Sequence, residues 1–226
     1  MATPPHQLGP GRKIGPVLDA LRERYGDKVL SRRDPLAVLI RGVLSQNTSD
    51  ANSGRAYAAL TAQFGDWAAV SAASPRQIAR AITSGGLAAQ KAQTIHAVMQ
   101  WLGERGAYSL DFLDGLGSAE AEELLTRIKG VGIKTARLVL LFGLGRPVFV
   151  VDTHVHRVSR RLGLIAPKCG REKAHDVLDA LIPDEQKYSA HMNIIEHGRR
   201  TCRSQSPLCD ACCVRRWCLH VRGLVD

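Results

Sequence analysis

Four cysteines near the end of the chain constrain its fold more than any other feature. Cys202, Cys209, Cys212 and Cys218 are spaced Cys-x6-Cys-x2-Cys-x5-Cys, so four thiolates can converge on one metal centre. The spacing differs from that of the ferredoxins, and geometry alone permits a tetrahedral zinc site as readily as an iron–sulfur cluster. The cysteines therefore predict a metal-bound C-terminal loop without identifying the metal.

Composition and charge indicate a helical protein with a polyanionic partner. The 226 residues are 45% hydrophobic but only 5% aromatic, which is enough apolar material for one large or two small cores and favours helix packing. The 31 Lys and Arg exceed the 21 Asp and Glu, giving a net charge of +10. Such a surplus favours nucleic acid or an acidic membrane surface as the partner.

The sequence shows neither a membrane span nor a secretory signal. No apolar run reaches the roughly 18 residues that cross a bilayer, and the Pro- and Gly-rich residues 1–16 lack the apolar core of a signal peptide. We therefore expect a cytoplasmic protein, associated with the nucleoid if it is bacterial. Because disulfides are rare in a reducing compartment, the four spaced cysteines are interpreted as ligands, and Cys169 and Cys213 as bystanders.

Helix start and stop signals recur along the chain, whereas strand-like alternation is nearly absent. Pro35 and Pro75 each open an apolar segment, and Asp50 precedes an Ala-rich segment as a candidate N-cap. Only residues 147–151 have an extended, continuously apolar pattern. We predict an all-α protein with helices over residues 35–44, 50–64, 75–85, 89–105, 118–128, 133–143, 153–162, 172–181 and 186–201.

A glycine-bracketed turn separates two of these helices. Lys129, Gly130, Val131 and Gly132 form a segment whose glycines permit a tight hairpin. We expect its backbone N–H groups to lie open beside the positive end of the next helix, where they can bind a phosphate without reading a base. The alternative is an ordinary corner between two helices, because Gly-x-Gly alone is a weak signal.

Lys134 and Asp152 are candidate catalytic residues, each near the start of a predicted helix. A lysine attacks as a nucleophile only when its amine is deprotonated, and a helix N-terminus disfavours the ammonium form. Asp152 ends the apolar extended run, which indicates a carboxylate that emerges from a buried floor. The alternatives are a surface lysine and a helix N-cap.

The hairpin, Lys134, the sequence Val-Asp-Thr-His-Val-His-Arg over residues 151–157 and the four-cysteine frame resemble, in this order and spacing, the endonuclease III family of helix-hairpin-helix DNA glycosylases. The resemblance covers nearly all of the chain from about Pro35 to Cys218. It implies a six-helix domain over residues 30–145 that carries the hairpin. A discontinuous second domain would combine residues 1–29 with 146–226 and hold the metal loop, residues 202–218.

The same resemblance assigns chemistry to these residues. It implies a [4Fe-4S] cluster bound by the four spaced cysteines, with Lys134 as the nucleophile and Asp152 as its catalytic carboxylate. The implied activity is that of a bifunctional DNA glycosylase and abasic-site lyase, which excises oxidised pyrimidines in base excision repair. The expected partner is double-stranded DNA containing damaged bases, bound by a monomer with no membrane involvement.

The resemblance also suggests residues that enter the duplex. The segment after the first helix of the six-helix domain resembles the loop that fills the gap left by an extruded base, and either Gln46 or Asn47 would insert. Leu87 resembles the residue that wedges into the opposite strand. The alternative for Leu87 is a buried residue after a helix.

Basic residues near Asp152 and in the cysteine loop are further candidates for DNA contact. His154 matches a family position close to the pocket, and Arg203 is the single basic residue between the first two spaced cysteines. We interpret Arg157, Arg160 and Arg161 as a basic helix face that contacts DNA, the alternative being a solvated run of charge.

Two other functions are compatible with the same motifs. The chain could be a DNA-damage binding module with little turnover, because an intact scaffold does not guarantee a competent pocket. It could also be a mismatch-specific glycosylase of the same fold, although those relatives lack the nucleophilic lysine. Sequence alone leaves open the exact lesion, the opposite base and any redox role of the metal.

Overall fold

A computed structural model gives the fold for residues 3–225. It contains the α-helices α1 Pro10–Tyr25, α2 Pro35–Leu44, α3 Asp50–Phe64, α4 Trp67–Ala72, α5 Pro75–Ala81, α6 Ala88–Gly103, α7 Ser118–Thr126, α8 Ile133–Leu138, α9 Thr153–Leu162, α10 Arg171–Leu181 and α11 Lys187–Arg200. Residues 3–225 contain no β-strand, so the predicted all-α class is confirmed. No helix in this range has the length and apolar character of a bilayer span.

The chain divides into two compact units. The terminal unit contains the residues up to Leu30 and those from Pro147 onward, and the central unit contains Ser31–Arg146. The central unit therefore holds α2 to α8, while the terminal unit holds α1 and α9 to α11. Each unit has buried apolar side chains of its own.

The helices of the central unit begin where local capping signals place them. Asp34 caps α2 by accepting the Ala37 N–H, with Pro35 at the first helical position. Ser74 caps α5 in a reciprocal capping box with Gln77. Such caps satisfy orphan amides at the helix start, so the predicted starts at 35 and 75 are confirmed. Asp50, predicted as an N-cap, is instead the first residue of α3, and Ser49 caps that helix by accepting the Asn52 N–H.

In the terminal unit, α1, α9, α10, α11 and the cysteine loop surround one apolar core. Its fully buried members include Val17 and Leu21 of α1, Val155 of α9 and Ile194 of α11. Trp217, which lies between the last two spaced cysteines, packs into the same cluster. The cysteine loop is thus anchored on the core by apolar burial as well as by its own turns.

The extended run that leads to Asp152 makes its backbone hydrogen bonds with side chains. Asp179 accepts the Phe149 N–H, Lys187 donates to Pro147 O, and His191 bonds to Val150 O through Nδ1. Since no neighbouring strand exists within residues 3–225, these side chains take the place of a ladder. The carboxylate of Asp152 therefore follows an extended segment that distant side chains hold at Pro147, Phe149 and Val150.

The helix predicted over residues 133–143 differs from the structure in its second half. Helical geometry ends at Leu138, and Val139–Gly143 forms a wider π-helical turn in which Leu144 N–H donates to Val139 O. A Cβ on Gly143 would lie 2.9 Å from Pro35 Cα. The wider turn thus lets the backbone approach the start of α2 closely.

Candidate functional site

The turn between α7 and α8 is a tight hairpin that only glycine can form at position 130. Gly130 has φ +89, in the left-handed region, and a Cβ there would lie 2.0 Å from Thr94 Oγ1 of α6. Gly132 has an ordinary backbone and open space around its Cβ position. The two glycines of the motif therefore have different roles, and it is Gly130 that lets the hairpin backbone approach Thr94 of α6 closely.

The amides of the hairpin are only partly open, which corrects one expectation. Val131 N–H donates to Ile128 O at 3.0 Å, and the Val131 side chain is buried, at 4% exposure. Thr135 N–H makes the first helical bond of α8, to Gly132 O. Helix α8 begins at Ile133, so the positive end of its dipole lies at Ile133 and Lys134. Lys129 and Gly132 are exposed.

Lys134 lies at this helix start with its side chain half-buried. Its Nζ is 3.4 Å from Ser45 Oγ, and that hydroxyl donates to Gly42 O at 2.8 Å. The ammonium or amine group is therefore held against the end of α2, in contrast with a freely moving surface lysine. Such a fixed position is what a nucleophile needs.

A cleft of about 300 Å³ lies beside Ser45 in the central unit. Its polar wall includes Arg33, Arg41 and Asp50, and its apolar wall is formed by α2, Leu138 and Phe142. Ser45 both lines this concave, mixed-polarity cleft and contacts the Lys134 amine.

The loop after α2 presents its two candidate residues differently. The Gln46 side chain is half-buried, and its Nε2 donates to Gly130 O at 3.3 Å. Asn47 is exposed and has φ +50. Gln46 therefore links the loop to the hairpin, while Asn47 projects from the loop.

Leu87 precedes α6 and is an exposed apolar residue in an uncommon conformation. Its φ is +50, and its exposure of 51% excludes the alternative of a buried residue. A left-handed conformation is costly for a residue with a Cβ, and an exposed leucine gains little from burial. Leu87 thus protrudes from a tight turn that begins with Gly86, itself at φ +67.

In the terminal unit, Asp152 is the N-cap of α9. Its Oδ1 accepts the Val155 N–H at 2.7 Å, so the N-cap interpretation of this residue is correct. The structure records no hydrogen bond to its Oδ2 from residues 3–225. One oxygen thus fixes the carboxylate, and the other stays available for chemistry.

The basic face predicted on α9 is wrong for two of its three arginines. Arg157 donates to Cys202 O at 3.0 Å and to Gly198 O at 2.8 Å. Arg161, which is 6% exposed, donates to Arg203 O and to Ser204 O. Both guanidinium groups satisfy carbonyls at the end of α11 and in the cysteine loop, so they face inward.

His154 is packed beside Arg157 rather than displayed on the surface. Its Nδ1 lies 3.1 Å from Arg157 Nη2, and a Cβ on Gly198 would lie 2.9 Å from its Cβ. Burial lowers the pKa of His154. The charge of Asp152, the next largest effect, opposes this change, and the positive charges of Arg157 and Arg199 act in the same direction as burial. A neutral imidazole is therefore favoured at neutral pH.

The four spaced cysteines lie in one loop against α9. Cys202 Sγ accepts from Arg161 Nη1, and Cys218 Sγ bonds to Arg161 O, each at 3.4 Å. Burial raises the pKa of Cys212 to about 12, and negative charge on neighbouring cysteines acts in the same direction. Burial is also the main cause of the raised pKa of Cys218, to which charge on Cys202 and Cys209 contributes.

These features fit a four-thiolate site. All six cysteines are free of disulfides, although no group of three or more Cys, His, Asp or Glu within residues 3–225 is already arranged around a metal position. Because burial favours the protonated form of these thiols, a bound cation would be needed to keep them deprotonated. The Arg161 N–H directed at Cys202 Sγ is the kind of outer contact that orients a sulfur ligand.

The two remaining cysteines are placed differently. Cys169 Sγ bonds to the adjacent Gly170 O, and the Cys169 carbonyl bonds to His156 Nε2 at 2.8 Å. Cys213 is half-buried beside Cys212. Burial raises the pKa of the Cys213 thiol. Arg203, the other loop candidate, has an exposed side chain.

Lys91 and Thr94 were not singled out by the sequence. The signal was present for Lys91, since it shares a helix face with Ile95, Val98 and Leu102 at spacings of four, seven and eleven. Those residues are fully buried. A lysine on such a face is unusual, because charged side chains are seldom buried without partners.

The chain matches known proteins over most of its length. Residues 40–184 match the family model of the HhH-GPD superfamily base excision DNA repair protein. Endonuclease III from Thermotoga maritima is 36% identical over 189 residues, which are 84% of each chain. A protein of Arabidopsis thaliana named as a DNA glycosylase is 40% identical over 162 residues, covering 71% of this chain and 55% of that protein.

The fold is similar to that of a solved endonuclease III. A structure of a trapped covalent intermediate between endonuclease III and DNA superposes with a TM-score of 0.81 and 28% sequence identity, covering 99% of both chains. The similarity therefore includes both compact units and the cysteine loop.

Proposed function

Because the chain belongs to the HhH-GPD superfamily of base excision DNA repair proteins, we propose that this DNA glycosylase, similar to endonuclease III, excises oxidised pyrimidines and then cleaves the strand at the abasic site. It binds DNA, as the similarity to endonuclease III–DNA complexes supports. We propose a monomer as the active form and duplex DNA with a damaged base as its substrate.

The observation that carries the lyase proposal is the position of Lys134. Its amine is held 3.4 Å from Ser45 Oγ, beside a concave cleft and at the start of α8. A glycosylase that activates only water has no need of a fixed amine. A lysine in this position can instead form a covalent bond to the sugar.

The proposed reaction begins with attack on an extruded nucleotide. The Lys134 nitrogen bonds to C1′ and loses a proton, while the base departs with the electron pair of the glycosidic bond. Opening of the sugar ring gives an imine between C1′ and Nζ, which acidifies the C2′ proton. Loss of that proton breaks the C3′–O bond, and the 3′ phosphate leaves with the electron pair.

Asp152 supplies the carboxylate in this proposal. Its Oδ1 is fixed by the Val155 N–H, which leaves Oδ2 to stabilise positive charge that develops on the sugar or to accept a proton. Replacing the Asp152 carboxylate with a neutral amide of the same shape should therefore slow base release, while Lys134 remains as the nucleophile.

DNA would be held by the hairpin and by residues that enter the duplex. Lys129 and the backbone N–H groups of Gly130 and Gly132 contact phosphates, whereas Val131, also a predicted DNA contact, has its N–H bonded to Ile128 O and its side chain buried. Asn47 and Leu87 are the residues that project, and they fill the duplex, while Gln46 supports the loop from the hairpin. His154 and Arg203 are further proposed DNA contacts.

We assign the [4Fe-4S] cluster to Cys202, Cys209, Cys212 and Cys218. The Arg161 contact with Cys202 and the absence of disulfides among the described cysteines support a four-thiolate site. When bound, a coordinatively closed cluster of this type contributes folding energy to its loop.

Borohydride trapping tests the nucleophile. Lys134→Ala should lose the trapped protein–DNA adduct and strand cleavage at an abasic duplex but bind that duplex within about three-fold of the wild type, because the phosphate contacts remain. Lys168→Ala is the matched control, since it removes an exposed lysine that is not among the proposed DNA contacts. It should trap at the wild-type rate.

Asp152→Asn and a set of substrates complete the experiment. Asp152→Asn should slow base release by about a hundredfold or more, as expected for a lost charge-stabilising or proton-transfer group. Duplexes with an oxidised pyrimidine, a uracil or an adenine mismatch identify the lesion class. Trapping of Lys134→Ala at the wild-type rate would exclude this lysine as the nucleophile. Binding without any cleavage by the wild type would identify a damage-binding module.

A further inference from the structure

The central unit contains a buried lysine that the proposed chemistry does not use. Lys91 of α6 is 1% exposed, and its Nζ donates to Leu44 O at 2.8 Å and to Gly85 O at 2.7 Å. Leu44 is the last residue of α2, two residues before Gln46, and Gly85 is two residues before Leu87. One side chain therefore joins the bases of two loops that are far apart in sequence.

We propose that Lys91 is a positioning residue that holds the loop carrying Asn47 and the turn carrying Leu87 in fixed relation, so that both enter an opened duplex together. The inference rests on the proposed function, because it concerns the residues that we assign to base extrusion. Lys91 is fully buried and acts only through the two loops.

The cost of burying Lys91 favours a positioning role for this side chain over simple core packing. Lys91 lies on the face of α6 that carries the fully buried Ile95 and Val98. Burial lowers the pKa of Lys91, which shows that its charged form is disfavoured there. An apolar side chain of similar length would avoid that cost. What the lysine adds is a pair of hydrogen bonds to two separate loops.

Backbone strain is concentrated beside the two carbonyls. Within residues 3–225, the non-glycine residues with positive φ are Asn47, Leu87 and Ser206. The first two lie within three residues of Leu44 and Gly85, the carbonyls that Lys91 holds. Left-handed conformations of such residues persist only when the surrounding structure imposes them. Lys91 is placed to impose both at once.

The hairpin contacts both α6, which carries Lys91, and the loop after α2. Thr94, three residues after Lys91 on α6, fills the space over Gly130, and Gln46 donates to Gly130 O. The contacts therefore form a closed circuit through α6, the loop after α2 and the hairpin. Removal of the Lys91 contacts would loosen the loop and the turn while the contact of Thr94 with Gly130 stays in place.

The test compares two substrates that differ in their need for extrusion. Lys91→Met keeps an unbranched side chain, one atom shorter than that of lysine, and removes both hydrogen bonds. On a duplex with an oxidised pyrimidine, the single-turnover excision rate of this variant should fall about tenfold or more. Such a loss is expected when the side chains that enter the duplex, Asn47 and Leu87, are misplaced by about 1 Å. An abasic site has no base to unstack, so cleavage there should fall by less than about three-fold. A 2-aminopurine opposite the lesion should brighten more slowly with Lys91→Met than with the wild type.

Asp66→Ala is the control for lost stability. Asp66 caps α4 in the same unit through the Ala69 N–H, so this change removes a cap without touching either loop. Its rates on the two duplexes should fall in equal proportion or not at all. Lys91→Gln, with a shorter donor, is a second variant that should show the same selective loss should Lys91→Met fail to fold.

The outcomes separate the two proposals. Equal loss on both duplexes, or no loss with Lys91→Met and Lys91→Gln, would overturn the positioning role while the proposed function stands. A wild-type protein that neither excises nor forms a trapped adduct would overturn the proposed function, and the role of Lys91 with it.

Discussion

Replacing Gly130 with alanine should destabilise the protein and disable the hairpin. The added Cβ must adopt φ +89 and would lie 2.0 Å from Thr94 Oγ1 and 2.9 Å from Thr94 Cγ2. The left-handed conformation costs an alanine about 1–2 kcal/mol, and the overlap with Thr94 adds about 1–3 kcal/mol. We expect Gly130→Ala to lower the free energy of unfolding by about 3 kcal/mol.

Two further variants divide this cost into its parts. In a Thr94→Ala background the contacts with Oγ1 and Cγ2 are removed and only the contact with Cβ, at 3.0 Å, remains. Gly130→Ala should then cost about 1–2 kcal/mol for its backbone conformation, plus a small part of the overlap. Gly132→Ala is the matched control, because its Cβ would meet nothing within 4 Å and its φ is −97. Its cost should stay within about 0.5 kcal/mol.

Urea unfolding followed by circular dichroism measures these differences, and duplex binding reports whether the hairpin survives. Gly130→Ala should weaken binding to an undamaged duplex, while Gly132→Ala should not alter the fold. A cost for Gly130→Ala no larger than that of Gly132→Ala would refute the reasoning. The reasoning would also fail if Gly130→Ala lowered the free energy of unfolding as much in the Thr94→Ala background as in the wild type.

Three other predictions follow from the cysteine loop, the wedge and the surface charge. Anaerobically purified protein should contain about four iron atoms per chain; Cys212→Ala should lose them and Cys213→Ala should keep them, whereas stoichiometric zinc would contradict the cluster. Leu87→Ala should slow excision but change the free energy of unfolding by less than about 0.5 kcal/mol, because the side chain is half exposed; a large loss of stability would show a packing role. Binding to an undamaged duplex should follow a log–log salt slope of roughly −3 to −4 for about four phosphate contacts, and a flat response would argue against phosphate binding by the hairpin.

Much of the fold followed from local signals in the sequence. The starts of α2 and α5 were predicted from Pro35 and Pro75, and that of α3 to within one residue from Asp50, since proline and capping side chains satisfy helix starts within a few residues of chain. The four-cysteine spacing and the turn at Gly130 were equally visible. Each of these features is decided by atoms that are close in sequence.

The direction of side chains was less predictable. The run of arginines on α9 indicated a surface, but Arg157 reaches a carbonyl 45 residues away and points inward. The sequence likewise left both Gln46 and Asn47 as candidates, and only the contact of Gln46 with Gly130, 84 residues away, distinguishes them. A helical pattern defines a face but not what packs against it.

The sequence by itself determined the all-α class, the cysteine loop and the candidate nucleophile and carboxylate, because those depend on residue type and short spacing. The tertiary structure alone decided that Leu87 protrudes, that Arg161 holds the cysteine loop and that Lys91 joins two loops. Its contact with Leu44 spans 47 residues of chain. Such partners are brought together only when apolar faces pack, and no local propensity encodes which distant carbonyl a buried donor will meet.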